Sequence, residues 1–420
     1  MAVTDQAGYK NHIEAKAGLL SFFEKLDIEP LSERETTLVL EQRVPFYEAK
    51  QKLFISYPSL REIIKLSDRY VSDYVFPKKA VWLLEDAVEF AKSKKERVLL
   101  PKHVETVLEQ KTKMPLGKLG KEEKETLLNL EGLIHERIIN QNEAVREVSE
   151  ALRRARSGVA TKTGPIGGFL FMGPTGVGKT ETAKALAKIY FGSEDNMIRL
   201  DMSEYQNKKD IDRIIGTAEE QGVLASAVRK NPFSLILLDE IEKAHPDLLH
   251  LFLQVLDEGY FTDGVGRRVV FNNSIIIATS NAGYKIILQS LEQGTQHEEV
   301  KRKILDHVFD EGVFRPELVN RFDAVVVFNA LTRENLIDIA GLMLKKVQHN
   351  MKQKHIELVI TEDLKQKVVE LSYDPKFGAR EMKRVIQDRV EDALAESLLK
   401  SEIKKGDKIK ITPDFKVTEA

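Results

Sequence analysis

"GFLFMGPTGVGKTETAKALA", Gly168 to Ala187, is the stretch that decides the fold. The run Gly168–Met172 reads as a short buried strand, and Thr180–Ala187 as a helix with alanines at helical spacing. Between them Gly173, Gly176 and Gly178 let the backbone turn with its N–H groups pointing inward. Such a nest at a helix N-terminus, where the dipole favours negative charge, suits an anion. Lys179 adds a charge for outer phosphates and Thr180 a hydroxyl for Mg2+. The pattern G-x-x-x-x-G-K-[ST] stands in the strand–loop–helix setting that gives it meaning, which implies a nucleoside triphosphate site. A glycine turn beside an ordinary surface lysine is the bland alternative.

Further along, "SLILLDEIEKAHP" ends a hydrophobic strand in Asp239 and Glu240. Asp239 is placed to hold Mg2+ through water together with Thr180, and Glu240 to activate a water for attack on the γ-phosphate. The two stretches together imply hydrolysis of the nucleotide. Around them, "NMIRLDMS", "FSLILLDE", "NSIIIATSN" and "AVVVFN" read as strands alternating with amphipathic helices, an α/β pattern of parallel sheet flanked by helices.

The rest of the chain bounds that reading. With 420 residues, two or three domains are expected. Residues up to about Lys113 are helical in pattern and hold no phosphate loop. The segment Glu109–Glu125, with Pro115 and two glycines among charges, reads as a linker running into a charged helix start. After "LTRENLIDIAGLMLKKV" the chain is helical again and closes with "DKIKITPD", an edge strand or hairpin. Lysine and arginine (64) nearly cancel aspartate and glutamate (66), so nucleic acid is not the expected partner. The absence of cysteine excludes disulfides and thiolate metal sites. No apolar run reaches membrane-spanning length, and the polar "MAVTDQAGYKNHIEAK" has no secretory pattern, so a cytoplasmic location is expected.

At this point a resemblance becomes specific. "GPTGVGKTETAKALA", "LLDEIEKAHPDLLHLFLQVLDEG", "TDGVGRRVVFNNSIIIATSNAG", "FRPELVNRFDAVVVF" and "FGAREMKRVIQ" resemble the second ATPase module of Clp/Hsp100 AAA+ unfoldases, nearly continuously from about His135 to Asp414. Residues 8–112 resemble the end of the family's first module, whose own phosphate loop is absent. The chain is thus either a truncated part of a longer protein or a reduced family member. The resemblance implies an AAA+ P-loop NTPase with helical small domains. Its parts are residues 1–112 from the first module, a linker at 113–130, a large ATPase domain at 131–330 and a small helical lid domain at 331–420. It implies ATP and Mg2+ as ligands, with Gly173, Pro174, Thr175, Gly176, Val177, Gly178, Lys179, Thr180, Glu181 and Asp239 at the nucleotide. Ile138 and Ile139 match the pair that sandwiches adenine, although Asn140 stands where the family usually has glycine. Catalysis falls to Glu240, to Asn281 as the first sensor, to Arg380 as the second, and to Arg321 as the finger presented to a neighbour, with Arg315 the lesser candidate. A finger acting between subunits implies a ring, expected as a homo-hexamer that remodels polypeptides.

Departures from the family narrow the expectation. Where a longer loop normally carries Gly-Tyr-Val-Gly to grip a polypeptide, this chain has only "TAEEQG", Thr217 to Gly222. Either that grip is lost or it is made elsewhere. Tyr260 and Phe261 are candidates to replace the aromatic, or else they pack under their hairpin. No coiled-coil insert interrupts residues 90–115, which argues against a disaggregase working with an Hsp70 partner. No Ile-Gly-Phe or Ile-Gly-Leu follows Asn281, so docking to a Clp peptidase is not expected. Ser21 and Phe22 stand where the first module commonly offers paired arginines. The competing reading is a nucleotide-switched regulatory or scaffold ATPase that threads nothing.

Overall fold

The computed structural model describes residues 3–4, 8–9, 13, 24, 26–71, 74–112, 121–157, 164–217, 220–293, 295–373 and 378–419. Ser21, Phe22 and most of residues 8–25 lie outside the described residues. From Ser32 onward four helices, Glu33–Gln51, Tyr57–Tyr70, Lys78–Ser93 and Pro101–Thr112, enclose a core that includes Leu40, Ile63, Leu83, Leu84 and Leu108. Ser32 starts the first of them with a capping box, its hydroxyl and backbone N–H both engaging Glu35. Two short parallel strands, β1 (Phe54–Ile55) and β2 (Val98–Leu99), tie the helices together.

Of the expected linker at 113–130, residues 113–120 lie outside the described residues, and helices span Lys121–Leu128 and Leu130–His135. Both helices already belong to the next unit, because Leu127, Leu130 and Ile134 are buried with Val148, Leu152 and Phe169. Charged residues dominate this stretch and conceal the three apolar positions that anchor it.

The centre is a five-stranded parallel sheet. Its strands are β3 (Gly167–Met172), β4 (Met197–Asp201), β5 (Leu235–Asp239), β8 (Ile275–Ser280) and β9 (Ala324–Val327), in the order β4-β5-β8-β3-β9. Alternate residues enter opposite cores: Leu170, Ile236 and Ile276 pack on one face, Phe169, Leu235 and Ile275 on the other. Burial on both faces explains why these strands read as continuous apolar runs. The pairing of β3 with both β8 and β9, and of β5 with β8, brings the carboxyl ends of these strands to one edge. None of the helices among the described residues is long and apolar enough to cross a membrane.

The chain ends in a smaller unit of helices Arg333–Gln353, Glu362–Ser372 and Arg380–Val385, the last continuing through a π-helical turn into Asp392–Leu399. The expected terminal hairpin is present as β11 (Lys408–Ile411) and β12 (Val417–Glu419). It gains a parallel third strand, β10 (Glu357–Val359), that no pattern in the sequence announced.

Two expectations concerned the segment between β5 and β8 and the shortened loop before β5. Strands β6 (Tyr260–Thr262) and β7 (Arg268–Val270) form an antiparallel hairpin. Phe261 is fully buried beneath it, its ring 5.4 Å from that of Phe271, so it belongs to the core and cannot grip a polypeptide. Tyr260 is half-buried, with the Arg268 guanidinium 4.4 Å from its ring centre. Of the segment Thr217–Gly222, residues 218 and 219 lie outside the described residues. Around them Gly216 bridges Gln221, and Thr217 N–H donates to Glu220 O at 2.8 Å. A Cβ on Gly264 would stand 2.1 Å from Gly216 O, so Gly216 lies directly against the hairpin turn.

Burial separates the two aromatics in a testable way. Phe261→Ala is expected to lower stability by about 3–5 kcal/mol, as aromatic truncation in a core does. Tyr260→Ala is expected to cost about 1 kcal/mol, the scale of an exposed cation–π contact. Urea unfolding followed by circular dichroism measures both, and equal losses would contradict the burial pattern.

Candidate nucleotide-binding site

The turn after β3 is built by glycine backbone freedom. Gly173 (φ 154°), Gly176 (φ 79°) and Gly178 (φ 111°) have conformations that other residues rarely adopt. A Cβ on Gly173 would also come within 2.8 Å of Phe328 O. Gly173 N–H donates to Ser280 O at 3.2 Å, which pins the loop to the end of β8. Among the described residues no backbone acceptor takes the N–H groups of Gly176, Val177 and Gly178. They stand at the N-terminus of helix Lys179–Phe191, where an anion would find both free donors and a favourable dipole.

Lys179 is 8% exposed and saturates its ammonium within the site. Its Nζ donates to Gly173 O (2.6 Å), Pro174 O (2.8 Å) and Asn281 Oδ1 (2.9 Å). Burial pushes the ammonium down to about 8, while Glu242, Asp239 and Glu240 act in the opposite direction. Thr175 Oγ1 lies 3.5 Å from the same Asn281 oxygen. Lys179, Asn281, the loop and the acids are thus brought together.

The acids sit on a knot at the end of β5. Asp239 Oδ1 accepts from Thr279 Oγ1, and its Oδ2 accepts from Arg199 at 2.6 Å. Thr279 Oγ1 in turn accepts the Glu240 N–H at 3.2 Å. Glu240 adopts a left-handed conformation, φ 55°, uncommon for a residue with a side chain. Its carboxylate meets Lys243 Nζ at 3.0 Å. Glu242 accepts the Asn281 N–H through Oε1 at 3.0 Å. Its Oε2 is buried with no partner. The hydroxyl of Thr180 and the carboxylate of Asp239 are hard oxygen donors suited to Mg2+, which is usually held by one or two protein oxygens plus phosphates. Arg199 is 52% exposed, so solvent can take its charge when Asp239 is otherwise engaged.

The remaining expected residues divide into two groups. Ile138 is buried, its Cδ1 4.0 Å from the position of a Cβ on Gly178, and Ile139 is half-buried beside it. Glu181 faces the same side, accepting from Arg137 Nη2 at 2.6 Å, while Arg137 Nη1 reaches Glu194 at 2.8 Å. Burial raises the Glu181 carboxyl, but Arg137 outweighs it and holds the group below its ordinary value. Arg321, in contrast, is 52% exposed and donates to Asp257 Oδ2 at 3.0 Å. Arg315 is exposed before helix Pro316–Val319. Arg380 is exposed at the start of helix Arg380–Val385, and the chain just before it touches the loop: Ala379 N–H donates to Gly176 O at 3.2 Å. Gln141, Arg137, Arg199, Thr279 and Glu242 were missed. Only Gln141, a polar residue opening an apolar-periodic helix, carried a usable local signal.

Known proteins show similar segments. Residues 164–325 match the family model of an AAA domain (Cdc48 subfamily), residues 331–411 that of the C-terminal, D2-small domain of ClpB protein, and residues 32–133 that of an AAA lid domain. The chain is 35% identical to the Staphylococcus epidermidis ATP-dependent Clp protease ATP-binding subunit ClpC, over 97% of this chain and 59% of the relative. It is 37% identical to the corresponding subunit ClpE of Bacillus subtilis, over 92% of this chain and 64% of the relative. Among solved structures, a closed state of Hsp104 with ATPγS and FITC casein superposes with a TM-score of 0.82 at 30% identity, covering 98% of this chain and 72% of that one. The chain spans about six tenths of the length of the two curated relatives.

The state of Lys179 yields a pH dependence. Its folded value, about 8, lies below the ordinary lysine value, so burying the charge weakens the free chain most below about 8. That penalty disappears as pH rises toward the unfolded value. Only the ammonium attracts phosphate, so nucleotide affinity is expected to fall as pH rises through about 8. Binding at about pH 9 is expected to take up a proton. Calorimetric titration in two buffers of different ionisation enthalpy measures the uptake, and identical heats would contradict it.

Proposed function

Because the chain belongs to the Clp/Hsp100 family of AAA+ ATPases, we propose that it is an ATP-hydrolysing motor that remodels polypeptides as a ring. The observation that carries the chemistry is the convergence on Lys179 of the phosphate loop, Asn281 and the acids of β5. ATP binds with its phosphates on the unengaged N–H groups of Gly176, Val177 and Gly178, and with its base beside Ile138 and Ile139. Thr180 and Asp239 would hold Mg2+, which supplies charge neutralisation at the outer phosphates. Lys179 exchanges its contacts with Gly173 O and Pro174 O for phosphate oxygens. Glu240 takes the proton of the attacking water, and Asn281 orients that water or the γ-phosphate. Arg380 reaches the same phosphates from the lid.

Arg321 is exposed and turned toward Asp257, which suits a guanidinium presented to a neighbouring subunit and hence a homo-hexameric ring. Polypeptide substrates are proposed from the casein in the Hsp104 structure, and a cytoplasmic setting from the family. Docking to a Clp peptidase is not proposed, since no docking tripeptide follows Asn281. A second reading, a nucleotide-switched regulatory or scaffold ATPase, is favoured by one observation. Gly216 and Thr217 lie against Gly264, and the sequence Thr217–Gly222 offers no aromatic for a grip.

Glu240→Gln is expected to bind ATP without hydrolysing it, and Lys179→Ala to lose binding. Arg321→Ala is expected to keep binding and lose on the order of a thousandfold in hydrolysis. Mixing Arg321→Ala with Glu240→Gln is expected to restore part of the activity, because each supplies what the other lacks at a shared interface. No recovery in subunits shown to co-assemble would sink the finger in trans. Acceleration of ATP hydrolysis by unfolded casein is expected for the motor, and its absence in an active ring would favour the scaffold.

A further inference from the structure

The chain before helix Asn142–Arg156 turns through two successive left-handed residues that are not glycine, Asn140 (φ 58°) and Gln141 (φ 62°). Gln141 explains how the turn is held. It is fully buried, and its Nε2 donates to Val177 O (3.2 Å) and Asn329 O (2.8 Å) while its Oε1 accepts the Asn329 N–H (2.8 Å). The turn is therefore fixed to both the phosphate loop and the end of β9. Nothing in that arrangement requires a side chain at 140, where glycine would adopt the same backbone with less strain.

The Asn140 side chain reaches instead to the small domain. Its Nδ2 donates to Asn335 Oδ1 at 3.0 Å. Asn335 Oδ1 also accepts the Thr332 N–H at 3.1 Å, and the Asn335 N–H donates to Thr332 Oγ1 at 3.3 Å, forming the capping box of helix Arg333–Gln353. A backbone N–H can only donate, so the Asn335 atom between them is the oxygen. The Asn140 atom facing it must then be the amide nitrogen, and chemistry fixes the orientation of both side chains.

We propose that Asn140 is a latch joining the base-side turn to the small domain, and that it slows nucleotide release. The inference rests on the nucleotide reading given above. It follows from position: Asn140 directly succeeds Ile138 and Ile139, and its partner begins the longest helix of the lid. Among the described residues the lid meets the site on both its phosphate and its base side. On the phosphate side Ala379 N–H meets Gly176 O, with Gly378 so close that a Cβ would stand 2.9 Å from that oxygen. On the base side the bond is made by the Asn140–Asn335 pair, and opening the lid breaks it.

Release of an N-methylanthraniloyl-ADP probe from the full chain, chased with excess unlabelled ADP in stopped flow, tests the latch. One neutral hydrogen bond corresponds to roughly 2- to 10-fold in rate, so Asn140→Gly, which suits the backbone, is expected to release the probe faster by about that factor. Asn140→Asp, which keeps left-handed tolerance but turns only oxygens toward Asn335, is expected to do the same. Asn335→Asp retains both acceptor roles and is expected to release at the unaltered rate. In an Asn335→Ala background, whose weakened cap is common to both arms, Asn140→Gly is expected to add nothing. Bound probe with unchanged release in both Asn140 variants overturns the latch alone, as do additive effects of the 140 and 335 changes. Failure of the unaltered chain to bind the probe overturns the nucleotide reading and the latch with it.

Discussion

A buried ammonium needs both acceptors and compensating charge, and the Lys179 ammonium obtains them from three parts of the chain. Gly173 and Pro174 supply carbonyls from the loop, and Asn281 supplies an amide oxygen from the end of β8. The acids after β5 supply negative charge. Removing any of these leaves a charge without its partner in a poorly solvated place, where proteins neutralise the group instead. The sheet order makes the arrangement possible. Strands β5, β8 and β3 are neighbours, so their carboxyl ends deliver acid, amide and loop to one point. Glu242 closes the circuit, since it holds the Asn281 backbone while standing among the acids that favour the ammonium.

What the sequence disclosed follows the reach of its patterns. Glycine spacing, the Gly-Lys-Thr and a strand ending in two acids are local features, and each locates a piece of backbone with its chemistry. Continuous apolar runs gave the parallel sheet because strands buried on both faces leave no polar alternation. Pairings between distant positions have no such mark. Gln141 meets Asn329 across 188 residues, Arg137 meets Glu181 across 44, and Arg199 meets Asp239 across 40. Nothing in the sequence links the two members of each pair. Strand β10 escaped for another reason: three residues are too few to show a period.

The hairpin of β6 and β7 shows how a choice that sequence left open is resolved by packing. An aromatic pair at a loop edge suits either a gripping surface or a core. Phe261 goes inward because β6 alternates, sending Phe261 to the core that holds Phe271 while Tyr260 lies toward solvent under Arg268. Asp263, nearly fully buried, then accepts from Arg229, Arg267 and the Val265 N–H, which fixes the hairpin turn. Against this rigid turn lies Gly216, where even one methyl group on Gly264 would collide. Gly216 and Thr217 are thus held against the hairpin.

The two contacts between lid and site differ in what can alter them. At Gly176 the lid is met by a backbone N–H, and Gly378 must lack a side chain for the approach to occur. Substitution can break that contact but cannot grade it. At Asn140 and Asn335 the contact is between side chains on well-supported backbones, one fixed by Gln141 and the other by a capping box. Removing it leaves both backbones in place, and replacing either partner changes its strength without moving the phosphate loop. Contact at the loop is thus set by the backbone, whereas the Asn140–Asn335 contact is set by two side chains. Uncoupling the two is physically possible because Gln141 isolates the loop from whatever happens at position 140: its three bonds to Val177 and Asn329 remain when the amide beside it is gone.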